Sequence, residues 1–277
     1  MDSIIGLGAA GCKIADKFSR YSQYDVYKMD VGLKRTPRTY GIKSVNTPEE
    51  FEQSIGSLKR FFKPLQGEVL FVVAASGFVS GASLRILEQI KAHNISILCV
   101  CSDPDLLGEI DRMQQRLATN VFQQYARSGV FKNVCLIYNN HLENILGDVP
   151  IIGFHDKLNE LLISTIHMIN VLDHSDSIMD NVSAPHEVSR LSTYGIVDFK
   201  TGEEKLFFPV DNVREKVYYY AINEKKLRES NDIRKKIISQ VKENSVDTKV
   251  SYGIYSTQYE EDYVYCVAYS STIQQLD

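Results

Sequence analysis

Ser3-Ile4-Ile5-Gly6-Leu7-Gly8-Ala9-Ala10-Gly11-Cys12-Lys13 is the stretch on which the reading of this chain turns. A short apolar strand runs into G-x-G-x-x-G and then into a helix, expected over residues 10–21. Glycines there let the backbone turn sharply and approach a ligand, and a helix N-terminus offers free N–H groups to a phosphate. Gly6, Gly8, Ala9, Ala10, Gly11 and Cys12 are therefore candidate nucleotide contacts. A second apolar run, residues 25–29, ends at Asp30, where the acid can meet a ribose hydroxyl. The competing explanation is a tight strand-to-helix turn with no ligand.

Composition narrows the classes. The chain has 277 residues, 44% of them hydrophobic and 24% charged, which is ordinary for a globular protein with ample core. Its net charge is −4 with both signs interspersed, which argues against an electrostatically driven nucleic-acid binder. Lys34, Arg35 and Arg38 form the densest basic stretch near the front and read as a solvated loop. Cys12, Cys99, Cys101, Cys135 and Cys266 make an odd set with no C-x-x-C pair, so reduced, buried thiols and a cytoplasmic location are expected. Cys99 and Cys101 have no second pair to complete a zinc site, and His155, His167 and His174 make no i, i+4 pair, so no metal centre is expected. Met1-Asp2 lacks a basic leader, and no charge-free run reaches about 20 apolar residues, so no membrane span is expected.

The front half alternates strands and helices. Residues 31–46 read as a polar loop. Thr47-Pro48-Glu49-Glu50 then starts a helix ending near Pro64, with a capping hydroxyl, an N1 proline and early acids. Residues 69–74 read as a strand buried on both faces, and 95–101 and 133–138 as further strands. A helix is expected from 83 to about 93 and a longer one over 105–127. This alternation implies a parallel sheet covered by helices on both sides, with ligands at the carboxyl edge of the strands. Residues 151–173 carry Leu158, Leu161, Leu162, Ile166, Ile169 and Leu172 at three- and four-residue spacing, with Ile163, Met168 and Val171 widening the stripe. They read as a buried helix joining two domains. The back third reads as a short helix after Pro185, a strand over 216–222, a helix over 224–242, and strands over 248–255 and 263–269. Its many tyrosines suit half-buried strands. The expected fold class is therefore α/β: a Rossmann-like parallel domain over 1–150, a connecting helix over 151–174 and a smaller α+β domain over 175–277.

This order of parts resembles the tubulin/FtsZ superfamily in a divergent, shortened form. Gly6-Leu7-Gly8-Ala9-Ala10-Gly11 falls where the family has its first phosphate loop. Leu70-Phe71-Val72-Val73-Ala74-Ala75-Ser76 resembles the strand leading to its signature loop. The segment from Asn139 to Leu146 is similar to the one after the fifth core strand of FtsZ. Phe154-His155-Asp156-Lys157-Leu158 resembles the start of the central helix, where Asp156 would match an acid contacting guanine. Tyr263-Val264-Tyr265-Cys266-Val267-Ala268-Tyr269 is similar to the last strand of the family's C-terminal domain.

The resemblance implies GTP or GDP, with Mg2+ as an optional companion, and self-assembly head to tail into cytoskeletal-type filaments. The signature loop departs from the family's G-G-G-T-G-[ST]-G, because this chain has Gly77-Phe78-Val79-Ser80-Gly81-Ala82-Ser83. Gly77, Gly81 and the Ser80 hydroxyl survive. Phe78 and β-branched Val79 stand where bare backbone would wrap phosphate, so either the loop moves away or the triphosphate binds weakly. The family's assembly-dependent catalytic acid is carried over to Glu187, with Asp180 second. Both have the ordinary alternative of an acid at a helix start. Asp103 sits after the fourth strand, where the family contacts ribose or phosphate, and an N-cap role explains it equally well. Two other functions stay open: a nucleotide-free scaffold of the same fold, and an NAD-dependent oxidoreductase using the Rossmann fingerprint with Asp30 on the adenosine ribose.

Overall fold

The apolar runs become strands because burial on both faces is the only way to remove them from water. In a computed structural model, which describes residues 1–276, β1 (Ser3–Leu7) is buried at every position. Most of β4 (Glu68–Ala74), β5 (Asn94–Cys101) and β6 (Asn133–Tyr138) is buried too. Contacts divide the chain into two units. The first is Met1–Ile163 together with the chain end from Ile273, and the second is Ser164–Thr272.

In the first unit the strands run β6-β5-β4-β1-β2-β3, every neighbour parallel, with β2 at Asp25–Val31 and β3 at Thr39–Ile42. Chain order reverses between β1 and β4, which is the switch point of a doubly wound sheet. Helix α1 (Gly8–Phe18) packs against β1, β2 and β4. Helix α2 (Pro48–Ser54) opens as expected, the Thr47 hydroxyl accepting from Glu50 N at 3.2 Å. Such a cap contributes about 1 kcal/mol. Helices α3 (Ser83–Gln89), α4 (Glu109–Arg127) and α5 (Asn139–Leu146) complete the alternation.

Helix α6 (Phe154–Asp173) contains the division between the units. Leu158, Leu162 and Ile163 are buried in its first part, and Ile166, Ile169 and Leu172 in its second. The expected spine starts too early: Ile151 and Ile152 are 93% and 96% exposed and precede the helix.

The second unit is an α+β lobe with strand order β10-β9-β11-β7. β7 is Leu191–Val197, β9 is Glu215–Asn223, β10 is Lys249–Thr257 and β11 is Tyr263–Ser270. β11 is antiparallel to both neighbours, β10 is parallel to β9, and short β8 (Glu204–Leu206) pairs with β7. Strand alternation sorts the tyrosines. Val217, Tyr219 and Ala221 join Ile169 and Leu172 of α6 in one core. Tyr218, Tyr220 and Ile222 face the other way and pack with Ile233 and Ile237.

Several local readings are corrected. The polar loop 31–46 contains β3, whose edge position needs only one buried residue, Ile42. The helix from Pro48 stops at Ser54, and the one expected from 105 starts at Glu109 after a 3₁₀ turn at Pro104–Leu106. Residues 224–242 form two helices, α7 (Glu224–Glu229) and α8 (Ile233–Asn244). The break at Ser230-Asn231-Asp232 is where short polar side chains compete for the backbone; Ser230 Oγ bonds the Asp232 carboxylate. After Pro185 the chain makes a turn instead of a helix.

Candidate nucleotide cleft

Strand C-termini of the first unit open onto a cleft of about 570 Å³, within the range of small-ligand sites. Its floor is the turn from β1 into α1. Gly8 has φ +73°, which an L side chain rarely adopts, and Ala9 and Ala10 expose the first turn of the helix. That turn carries no acid, so its N–H groups and dipole face the cleft unopposed. Lys13, exposed on the next turn, lines the same space. Opposite stand Ser76, Gly77, Val79 and Ser80 after β4, Ser102 after β5 and Asn139 after β6, with His155, Leu158 and Asn159 from α6. Asp30 closes the β2 side, its Oδ1 accepting from Val31 N at 2.8 Å.

Of the residues expected to contact nucleotide, Gly8, Ala9, Ala10, Asp30, Gly77 and Ser80 meet in this lining. The other six are placed elsewhere. A side chain on Gly6 would stand 2.4 Å from the Gly11 carbonyl oxygen, and one on Gly11 would stand 2.5 Å from the Val72 oxygen. Both glycines let α1 lie close on the sheet. The Cys12 thiol donates to Gly6 O at 3.4 Å and Met29 O at 3.5 Å. Burial, helped by the nearby Asp30 charge, pushes its pKa up to about 12, so the thiol stays protonated. Gly81 gives room to the Pro48 carbonyl, 2.3 Å from where a Cβ would be. Asp103 caps the 3₁₀ turn by accepting from Asp105 N at 3.0 Å. Asp156 is exposed and pairs with Lys17 at 3.2 Å, beside an adjoining hollow rather than in the cleft.

Glu187 and Asp180 both lie in the second unit, in the exposed segment after α6. Asp180 has φ +53°, and its carboxylate near the Tyr252 hydroxyl helps burial hold that phenol above its ordinary pKa. Strand-like bonds from Ile178 N to Ile254 O (2.7 Å) and Ile254 N to Met179 O (3.1 Å) pin this segment along β10. Glu187 sits in a turn whose His186 N and Ser189 Oγ each donate to Glu215 Oε1 at 2.8 Å.

The signature segment settles one question left by the sequence. Phe78–Ala82 winds into a 3₁₀ turn, and Val79 lies in the cleft, its Cβ 3.7 Å from where a side chain on Gly8 would begin. The Ser80 hydroxyl is already used, donating to Ala75 O at 3.3 Å and accepting from Gln114 Nε2 at 3.0 Å. The α1 half of the cleft is thus open backbone and an exposed helix turn. The β4 half offers an isopropyl group in place of a bare-backbone cradle. Among the described residues, Asp30 is the one acid in the lining, which gives Mg2+ little to hold it.

Lys13, Ser76, Ser102, Asn139, His155 and Asn159 were not anticipated. For His155 and Asn159 a signal existed. Residues four apart share a helix face with Leu158, whereas Asp156 is turned about 100° away from His155.

No protein-family model matches the sequence, nor does any curated protein. Solved structures do. A GTPγS-form protofilament of TubZ from Bacillus thuringiensis serovar israelensis superposes with TM-score 0.74 at 15% identity, over 99% of this chain and 87% of that one. An empty FtsZ dimer from M. jannaschii gives 0.69 at 13% identity, over 97% and 87%. A GDP-bound CetZ1 monomer from Haloferax volcanii gives 0.69 at 18% identity, over 98% and 94%. The sheet of the first unit alone is shared with dinucleotide-binding folds, so the discriminating fact is that these likenesses run through both units: this chain has the fold of the tubulin/FtsZ superfamily.

Proposed function

We propose that the chain binds a guanine nucleotide in the first-unit cleft and assembles head to tail into filaments. The observation that carries this is the exposed, acid-free first turn of α1 beside Lys13, at the switch point of the sheet. Phosphate would rest on Gly8, Ala9 and Ala10 with Lys13 as counter-charge, and Asp30 would take a ribose hydroxyl. His155, Asn159, Ser102 and Asn139 supply the polar groups for the rest of the nucleoside. With the Ser80 hydroxyl engaged and Val79 in the cleft, the terminal phosphate is held loosely and affinity is modest.

Filament growth is supported by the protofilament form of the TubZ structure; a head-to-tail contact is heterologous and propagates because it does not close. Hydrolysis belongs to the assembled form in this reading. Glu187 is the acid offered to the neighbouring copy's nucleotide; Asp180, beside the Tyr252 hydroxyl, ranks second.

Titrating a fluorescent GTP analogue and NADH against the protein, then imaging pelleted material with and without GTP, tests this. Saturable GTP binding with GTP-dependent filaments is expected. Filaments without any nucleotide binding would establish the scaffold reading, which the Val79 placement favours. NADH binding in place of GTP would establish the oxidoreductase.

A further inference from the structure

The first half of helix α4 is inside out. Gln115 and Thr119 are buried there, each 1% exposed, and buried Gln123 follows; apolar Phe122 and Ala126 take the buried face only in the second half. Gln115 exchanges bonds with the Ser102 backbone, Oε1 accepting from N at 2.8 Å and Nε2 donating to O at 3.0 Å. Gln123 does the same for Gln274, accepting from N at 2.7 Å and donating to O at 3.0 Å. The opposite face carries Ile110, Met113 and Leu117 at 69%, 62% and 51% exposure, preceded by Leu106 at 84%. A helix that serves only its own core has the reverse pattern.

On α4 itself, Ile110, Met113 and Leu117 at spacings of three and four residues form a short two-helix seam, with Leu106 just before it in the 3₁₀ turn. We infer that this face pairs with α4 of a second copy, antiparallel, across a two-fold axis. In this pairing Ile110 of each copy layers on Met113 of the other, with Leu117 at the end of the seam. Glu109 and Arg116 flank the seam on one side, both exposed, Arg116 Nε donating to Leu276 O at 3.1 Å while the rest of its guanidinium faces out. In the antiparallel register each Glu109 faces Arg116 of the second copy. In a parallel register they would face Gln114 and Val121, with no charge partner. Asn120 and Gln124 continue the exposed face as polar residues and bound the seam. The contact is smaller than the roughly 800 Å² per partner of a standard interface, so dissociation in the micromolar range is expected.

Such an isologous contact stops at two copies, whereas the head-to-tail contact does not, so the two are separable. Sedimentation velocity on the nucleotide-free protein across micromolar concentrations is expected to show reversible monomer–dimer exchange. Leu117→Glu should raise the dissociation constant at least about tenfold. Glu109→Arg should weaken the dimer, and Glu109→Arg with Arg116→Glu should restore it. Leu117 is half exposed, so circular dichroism and melting of Leu117→Glu should stay as in the parent, whereas Arg116→Glu also gives up the bond to Leu276 O. A monomer at every concentration, or a dimer indifferent to Leu117→Glu, overturns the inference. Failure of the double exchange to restore the dimer overturns the antiparallel register.

Discussion

The turn after β1 and the segment after β4 stand at the ends of neighbouring parallel strands and line the same cleft, yet their glycines answer to different demands. Gly6 and Gly11 are required by the fold, because backbone occupies the space their side chains would need. Gly77 is exposed, with the nearest atom to an added Cβ 4.0 Å away, and its neighbours Phe78 and Val79 are not glycine at all. A glycine held by packing persists whether or not phosphate is bound. The first, third and sixth positions of G-x-G-x-x-G are thus unequal witnesses. Gly8, with its positive φ and open surroundings, and Lys13 report on a ligand, and Val79 reports against a tight one.

The strongest way to break this contrast is to fill the packed glycines. Gly11→Val would drive a branched side chain into the Val72 carbonyl, and we expect a loss of about 3 kcal/mol or more in urea unfolding. Gly77→Ala should stay within about 0.5 kcal/mol of the parent. A well-folded Gly11→Val protein would show that α1 can move off the sheet, and the contrast would fail.

Ligand affinity offers a smaller, sharper test. Lys13→Ala should weaken binding of fluorescent GTP about tenfold, or about 1.4 kcal/mol, while leaving the melting curve unchanged. Val79→Gly should tighten it about threefold by letting backbone approach the phosphate. If Val79→Gly leaves affinity where it was, the 3₁₀ turn itself, with the Ser80 hydroxyl engaged, is what withholds the cradle.

The fold was legible wherever one short segment carries its own constraint. β1, β4, β5 and β6 read as apolar runs because both of their faces are buried. β3 did not, since an edge strand with three of four residues at least partly exposed has no such signature. The break between α7 and α8 was legible but missed: the six-residue step from Leu227 to Ile233 turns a helix well off the face shared by Ile233, Ile237 and Val241, and Ser230-Asn231-Asp232 stand in between. The site was only half legible. Gly8, Ala9, Ala10 and Asp30 lie near one another in sequence, but Ser102, Asn139 and His155 arrive from three further elements. Their convergence is a property of strand order, which no local pattern states. α4 carried a readable periodicity whose direction was not readable, for a stripe is the same stripe whether it faces the core or water.

Cys12 sharpens the contrast by the smallest margin. It directly follows the last glycine of the motif, and its thiol donates inward to Gly6 and Met29 carbonyls. Its pKa rises from about 9 to about 12 through burial first and the Asp30 charge second. An acid whose folded pKa is raised favours the fold while both states hold the proton. Once pH passes the unfolded value, the unfolded chain gains by ionising and the folded chain does not. The stabilisation is therefore complete below about pH 9 and fades as pH climbs toward 12. The stability advantage of the parent over Cys12→Ala should accordingly shrink between pH 8 and 10, measured by urea unfolding at each pH. A folded-state thiol that ionises at its ordinary value would mean that this turn opens to water. The glycine turn would then be as free of the fold as the segment after β4, and its motif would again speak for a ligand.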